Sequence, residues 1–66
     1  MLEIQVARLR KNITQQQISD YMGVTPETVA KWENGTKPMY LNEFLRICDH
    51  FSFDAFGMIH SVIKVS

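Results

Sequence analysis

Glu27, Thr28 and Lys31 stand at i, i+1 and i+4 in a chain of 66 residues, a spacing that brings them to one side of a helix. Their chemistry suits the edges of base pairs. A lysine ammonium donates to guanine O6 and N7, a glutamate accepts from cytosine N4, and a threonine offers a hydroxyl for hydrogen bonding and a methyl for thymine. Thr25, just ahead of them, joins this set of base-edge candidates. The plainer reading of Glu27 and Lys31 is a surface ion pair worth roughly 0.2–0.5 kcal/mol, and both readings can hold in the free protein. Groups suited to phosphate lie on either side. The backbone N–H groups that follow Thr14 form an anion site by themselves, Asn34, Thr36 and Lys37 come just after the run, and Arg10 precedes it. Pro26 reads as structural, with its ring in reach of a thymine methyl.

No other chemistry can be assembled from these residues. His50, His60 and Cys48 lack the spacing of a metal-ligand set, so neither metal nor cofactor is expected. No nucleophile–base pair, carboxylate dyad or phosphate-cradling loop is present, which argues against an enzyme. Cys48 is the single cysteine; it excludes a disulfide within the chain and fits a reducing compartment. No apolar run is long enough to span a bilayer, and the opening MLEIQVARLRK lacks the basic start and apolar stretch of a secretory signal. These readings predict a soluble, cytoplasmic protein without membrane contact. A formal net charge of +0 weighs against binding driven by phosphate neutralisation alone. The cations Arg8, Arg10, Lys11, Lys31 and Lys37 nevertheless gather early in the chain, ahead of Asp49 and Asp54. One basic face on a neutral domain would leave base contacts to decide.

The elements that must position these groups follow from apolar spacing and end signals. Leu2, Val6, Leu9 and Ile13 recur at i, i+4, i+7 and i+11, with Ile4 and Ala7 beside them, which predicts a first helix with that face inward. Thr14 and Gln17 form a Thr-x-x-Gln capping box for a short second helix. It carries Ile18 and Met22 inward and stops at Gly23, suited to a left-handed C-terminal residue. Thr25 caps a third helix with Pro26 at its first position; Val29 and Trp32 lie on its inner side, and Asn34-Gly35 and Pro38 end it. Leu41, Phe44, Leu45, Cys48 and Phe51 mark a fourth helix, with Ile47 adjacent, and Ser52-Phe53 breaks it. Asp54 starts a last segment with Phe56, Ile59 and Ile63 in one apolar row and Met58 and Val62 in another, helical to about Ser61.

Two short helices joined by a tight glycine-containing turn are the signature of a helix-turn-helix. Apolar residues at Ile18, Met22, Val24, Val29 and Trp32, a small residue at Ser19 and Gly23 at the turn must all hold together, and they do. The stretch ITQQQISDYMGVTPETVAKWENGTKP resembles the lambda-repressor-like, or Cro/Xre-type, helix-turn-helix family. Arg8 ahead of it and the Ile47-Cys48 and Phe51-Ser52-Phe53-Asp54 run behind it fit the same pattern. Ser19 stands where that family most often has alanine, and the segment from Pro38 to Ile47 is about one residue longer than common.

The resemblance implies an all-α fold, a compact bundle of about five short helices with the helix-turn-helix at the second and third. It implies a single domain over residues 1–66, a minimal regulator working as a two-fold homodimer on a short palindromic operator in double-stranded DNA. By the same resemblance Gln15 contacts backbone phosphate and braces the recognition helix, and Arg8 pairs with Glu33 across the domain in a structural role. Tyr21 reads as a partly exposed ring beside the DNA backbone. Phe53, Phe56, Ile59, Val62 and Ile63 exceed what a small core needs. The plainer reading is core filling by a longer last helix; the functional one is a self-associating face within residues 54–66 and its approach, where an isologous contact would set two recognition helices about one DNA turn apart. The competing reading is a protein-interaction module whose apolar tail binds a protein partner, with DNA contact secondary.

Overall fold

A computed structural model describes residues 2–62, the side chains of residues 60–62 excepted. The order is α1 (Leu2–Arg10), α2 (Gln15–Met22), α3 (Pro26–Asn34), α4 (Leu41–Phe51) and α5 (Ala55–Val62), with no strand among the described residues. The helix ends follow local chemistry. Thr14 Oγ1 accepts the Gln17 N–H at 3.1 Å while Gln17 Oε1 accepts the Thr14 N–H at 2.7 Å, a reciprocal capping box. Gly23 closes α2 at φ 71°, and Gly35 closes α3 at φ 82°, backbone that carries no penalty for glycine. Asn12 and Ser52 do the same work at φ 57° and 58° without being glycine; the break at Ser52-Phe53 falls where the apolar pattern ends, whereas nothing in that pattern marks the turn at Asn12, and α1 stops at Arg10, short of Ile13. Thr25 Oγ1 accepts the Thr28 N–H at 3.3 Å, and Asp54 Oδ1 accepts the Gly57 N–H at 3.1 Å.

α3 packs against α2 and α1, and α5 packs against α1 and α4. Between them lies a core of Ile4, Ile18, Val29, Trp32, Phe44, Ile47, Cys48 and Phe53. Cys48 behaves as a core hydrophobe: burial, aided by the nearby Asp54 charge, pushes its thiol up to about 11, so it stays protonated and unreactive at neutral pH. Ser19, at 1% exposure, turns its hydroxyl back onto the Gln16 carbonyl at 2.8 Å, which satisfies a polar group where the helices meet closely.

The structure corrects the expected orientation of α1. Leu2, Val6 and Leu9 face outward, and Ile4 and Arg8 face the core. The helix carries apolar residues on both sides, and Arg8 selects between them. Its guanidinium has to reach the buried Glu33, and a carboxylate left unpaired in the interior costs about 3–5 kcal/mol. α4 is likewise rotated from expectation: Leu41 and Leu45 are exposed while Phe44, Ile47 and Cys48 point in. Phe53, expected on an outer face, belongs to the core at 7% exposure, because the chain leaves the left-handed Ser52 directly beneath α4 and bonds Phe53 N–H to Cys48 O at 2.8 Å. Phe56 remains outward, Ile59 and Met58 are partly buried against the core, and Val62 as a side chain and Ile63 lie outside the described residues.

Candidate nucleic-acid interface

Thr25 and Pro26 set where α3 begins, and the buried Val29 and Trp32 set which side of it turns inward. Glu27, Lys31 and Asn34 then fall on one outer ridge, all exposed, with Thr28 half-exposed on its flank. Lys31 Nζ lies 3.4 Å from Glu27 Oε1, a pair in water whose net stabilisation is small and which a stronger partner can replace. Thr25 is more committed than its neighbours. Its hydroxyl caps Thr28 and lies 3.0 Å from Thr28 Oγ1.

The position of α3 is held by a buried polar clamp. Arg8 Nε donates to Glu33 Oε2 at 2.7 Å and Arg8 Nη2 donates to Glu33 Oε1 at 3.1 Å, the bidentate geometry that makes arginine–carboxylate pairs strong and directional. Arg8 Nη1 donates to the Ile13 carbonyl at 3.0 Å, and Gln15 Nε2 donates to Glu33 Oε1 at 3.0 Å. One carboxylate near the end of α3 thus gathers α1, the α1–α2 turn and the start of α2. The roles of the Ile13 carbonyl and of the Gln15 amide toward Glu33 were not visible in residue spacing, since both depend on the turn that Asn12 makes.

The start of α2 presents the N–H groups of Gln15 and Gln16, the first two of the helix, which have no intrahelical acceptor. With the N-terminal end of the helix dipole they form a place for an anion. Thr14 and Gln15 line an open groove with Arg8, Leu9, Asn12 and Ile13. After α3, Asn34 Oδ1 accepts the Thr36 N–H at 2.8 Å, and the Lys37 N–H bonds Lys31 O at 3.2 Å, so this loop is ordered and its Lys37 side chain is exposed.

Other expected groups are dispersed. Arg10 is exposed but lines a different groove, between α1 and α5, with Asp54 and Met58. Lys11 Nζ donates to Ser52 O at 2.6 Å and Phe51 O at 3.3 Å, neutralising the carbonyl end of α4. With Arg8 buried, the early cations do not form one continuous basic face; Lys31 and Lys37 are those next to α3. Tyr21 is half-buried, stacked on His50 with centroids 3.8 Å apart and with the Arg46 guanidinium 5.5 Å from its ring centroid, so it joins α2 to α4. Among the described residues no group of histidine, cysteine and carboxylate side chains could hold a metal ion, and no helix is long and apolar enough to cross a membrane.

A family model described as helix-turn-helix matches residues 4–42, more than half of the chain. No match is found among curated proteins or among solved structures. Domains of this family are DNA-binding modules of transcription regulators. The span matched includes α2, α3 and all but the first two residues of α1, the elements joined by the Arg8–Glu33–Gln15 clamp, and the chain belongs to the Cro/C1-type helix-turn-helix family.

Proposed function

We propose that the protein is a sequence-specific transcriptional regulator that lays α3 in the major groove of a short palindromic operator, two copies binding as a homodimer. Thr28, Lys31 and Glu27 read base edges, with Thr25 at the groove wall. Gln15, Thr14 and the open N–H groups of α2 hold one phosphate, and Asn34, Thr36 and Lys37 hold the phosphates beyond the other end of α3. The observation that carries this reading is the clamp on Glu33: it fixes the angle between a helix N-terminus with two open N–H groups and an outward polar ridge, two parts that must meet backbone and bases together. Binding selection from random duplexes should enrich one two-fold sequence. A Thr28→Ala/Lys31→Ala double variant should lose that preference while keeping its helical spectrum and melting cooperativity. Enrichment of no sequence would end the proposal.

A second reading has a specific observation behind it, the exposed Leu2, Leu9 and Phe56. In it the chain binds another protein through these residues, and DNA contact is secondary. A Thr28→Ala/Lys31→Ala variant that loses regulation while still holding that partner would reject it.

A further inference from the structure

α1 has a dry side and a second apolar side that stays largely exposed, where Leu2 and Val6, with Glu3 and Arg10, form one wall of the open groove toward α5. Leu2, Val6 and Leu9 are 61%, 39% and 58% exposed. Their spacing of four and then three residues is that of a coiled-coil seam, and at 3.6 residues per turn they fall within a sector of about 60°. Glu3 and Arg10 flank this stripe roughly 80° round on the same side, and neither makes an ion pair among the described residues. α4 also exposes Leu41 and Leu45, but its flanking charges are engaged, Glu43 with the Tyr40 N–H and Arg46 over Tyr21. α5 offers Phe56 alone among its described side chains as a large exposed hydrophobe.

We infer that two copies of this chain meet through α1, packed antiparallel about a two-fold axis at Val6, with Glu3 of each copy paired to Arg10 of the other. In an antiparallel two-fold pair, residues on the same flank of the two helices face each other, and the contact is isologous. Glu3 and Arg10 are equally far from Val6 to within one residue, so a single register seats Leu2 against Leu9 of the second copy and closes both ion pairs. A stripe with one sign of charge along its flank would repel its own copy; this one is complementary to itself. The inference rests on the homodimer in the proposed function and assigns its contact to α1 rather than to α5. The seam is short, about 13 Å for a nine-residue helix, so the dimer is weak and depends on concentration.

The test uses the whole chain, first without DNA and then with an operator duplex to count the copies bound. Cys48 is buried with its thiol pushed up, so an introduced surface cysteine reports alone. Under mild oxidation at pH 8, Val6→Cys should be captured as a covalent dimer, whereas Phe56→Cys should remain monomeric. In sedimentation equilibrium, Glu3→Arg should weaken self-association about tenfold through two lost pairs per dimer, and Glu3→Arg/Arg10→Glu should restore it to within about twofold. Linking through Phe56→Cys with none through Val6→Cys overturns the α1 contact and leaves the homodimer intact. A monomer at every concentration, bound as one copy per duplex, overturns both the contact and the homodimer. A double charge swap no better than Glu3→Arg alone overturns the register.

Discussion

The α2–α3 unit and the α1–α5 pair are built on different principles. In the first, every helix end has a side chain or glycine that dictates it: Thr14 with Gln17, Gly23, Thr25 with Pro26, and Gly35. The second relies mainly on packing against neighbours: α1 ends at a non-glycine residue held left-handed, Asn12, and α5 follows another, Ser52, with Asp54 as its one side-chain cap. The contrast teaches where precision is needed. Two short helices cannot position a polar ridge by core packing alone in a domain this small, so caps and one buried ion pair supply the fixed angles. α1 lies on α3 with the side that carries Ile4 and Arg8, and its other side is left apolar.

Breaking the clamp tests this contrast most severely. Glu33→Ala strands Arg8 in the interior and should cost about 3–5 kcal/mol, near the whole stability that a core of this size supplies. Urea unfolding at 25 °C would then find little folded protein, while Arg8→Met/Glu33→Leu should recover much of the loss without recovering DNA binding. A variant Glu33→Ala that unfolds at the wild-type midpoint would mean the clamp is ornamental.

The two sides of α1 give the next largest difference. Ile4→Ala should destabilise by about 2–5 kcal/mol, and Leu9→Ala by no more than about 0.5 kcal/mol in monomer. Equal losses at the two positions would contradict the orientation of the helix. At the caps, Thr14→Ala should lower stability by about 1 kcal/mol and also weaken DNA binding, since the same helix end receives the phosphate.

The buried thiol provides a pH test confined to the packed half of the molecule. The folded state keeps Cys48 protonated up to about 11, against an ordinary value of 9.0. Its contribution is therefore complete below pH 9 and lost as pH rises through 11. Unfolding midpoints across this window should fall more steeply for the wild type than for Cys48→Ala, and alkylation at pH 8 should need denaturant. The smallest effect concerns salt. With few cations beside α3, the dependence of binding on salt should be shallow, and Lys37→Ala should reduce its slope by about 0.9 per subunit.

Much of the α2–α3 unit could be read from residues in order. Capping chemistry is local: Thr14 and Gln17 reach each other within one turn, and Pro26 and Gly35 act through their own backbone preferences. The outward ridge of Glu27 and Lys31 followed because Val29 and Trp32 leave α3 a single apolar side. The face of α1 was misread for the opposite reason. Leu2, Val6 and Leu9 make as good a stripe as Ile4 and Ala7, and periodicity has no means of ranking two stripes on one helix.

The chain by itself determined helix number, the ends of α2 and α3, the turn at Gly23 and the polar face of α3, because each depends on interactions spanning about four residues or fewer. Tertiary structure alone decided which stripe of α1 faces the core, that Gln15 takes the Glu33 carboxylate as its partner, and that Lys11 serves the end of α4, whereas the Arg8–Glu33 pair and a brace from Gln15 were implied by the family resemblance. Those choices compare groups 18 to 41 positions apart, and a buried carboxylate ranks its donors only once the chain has brought them together.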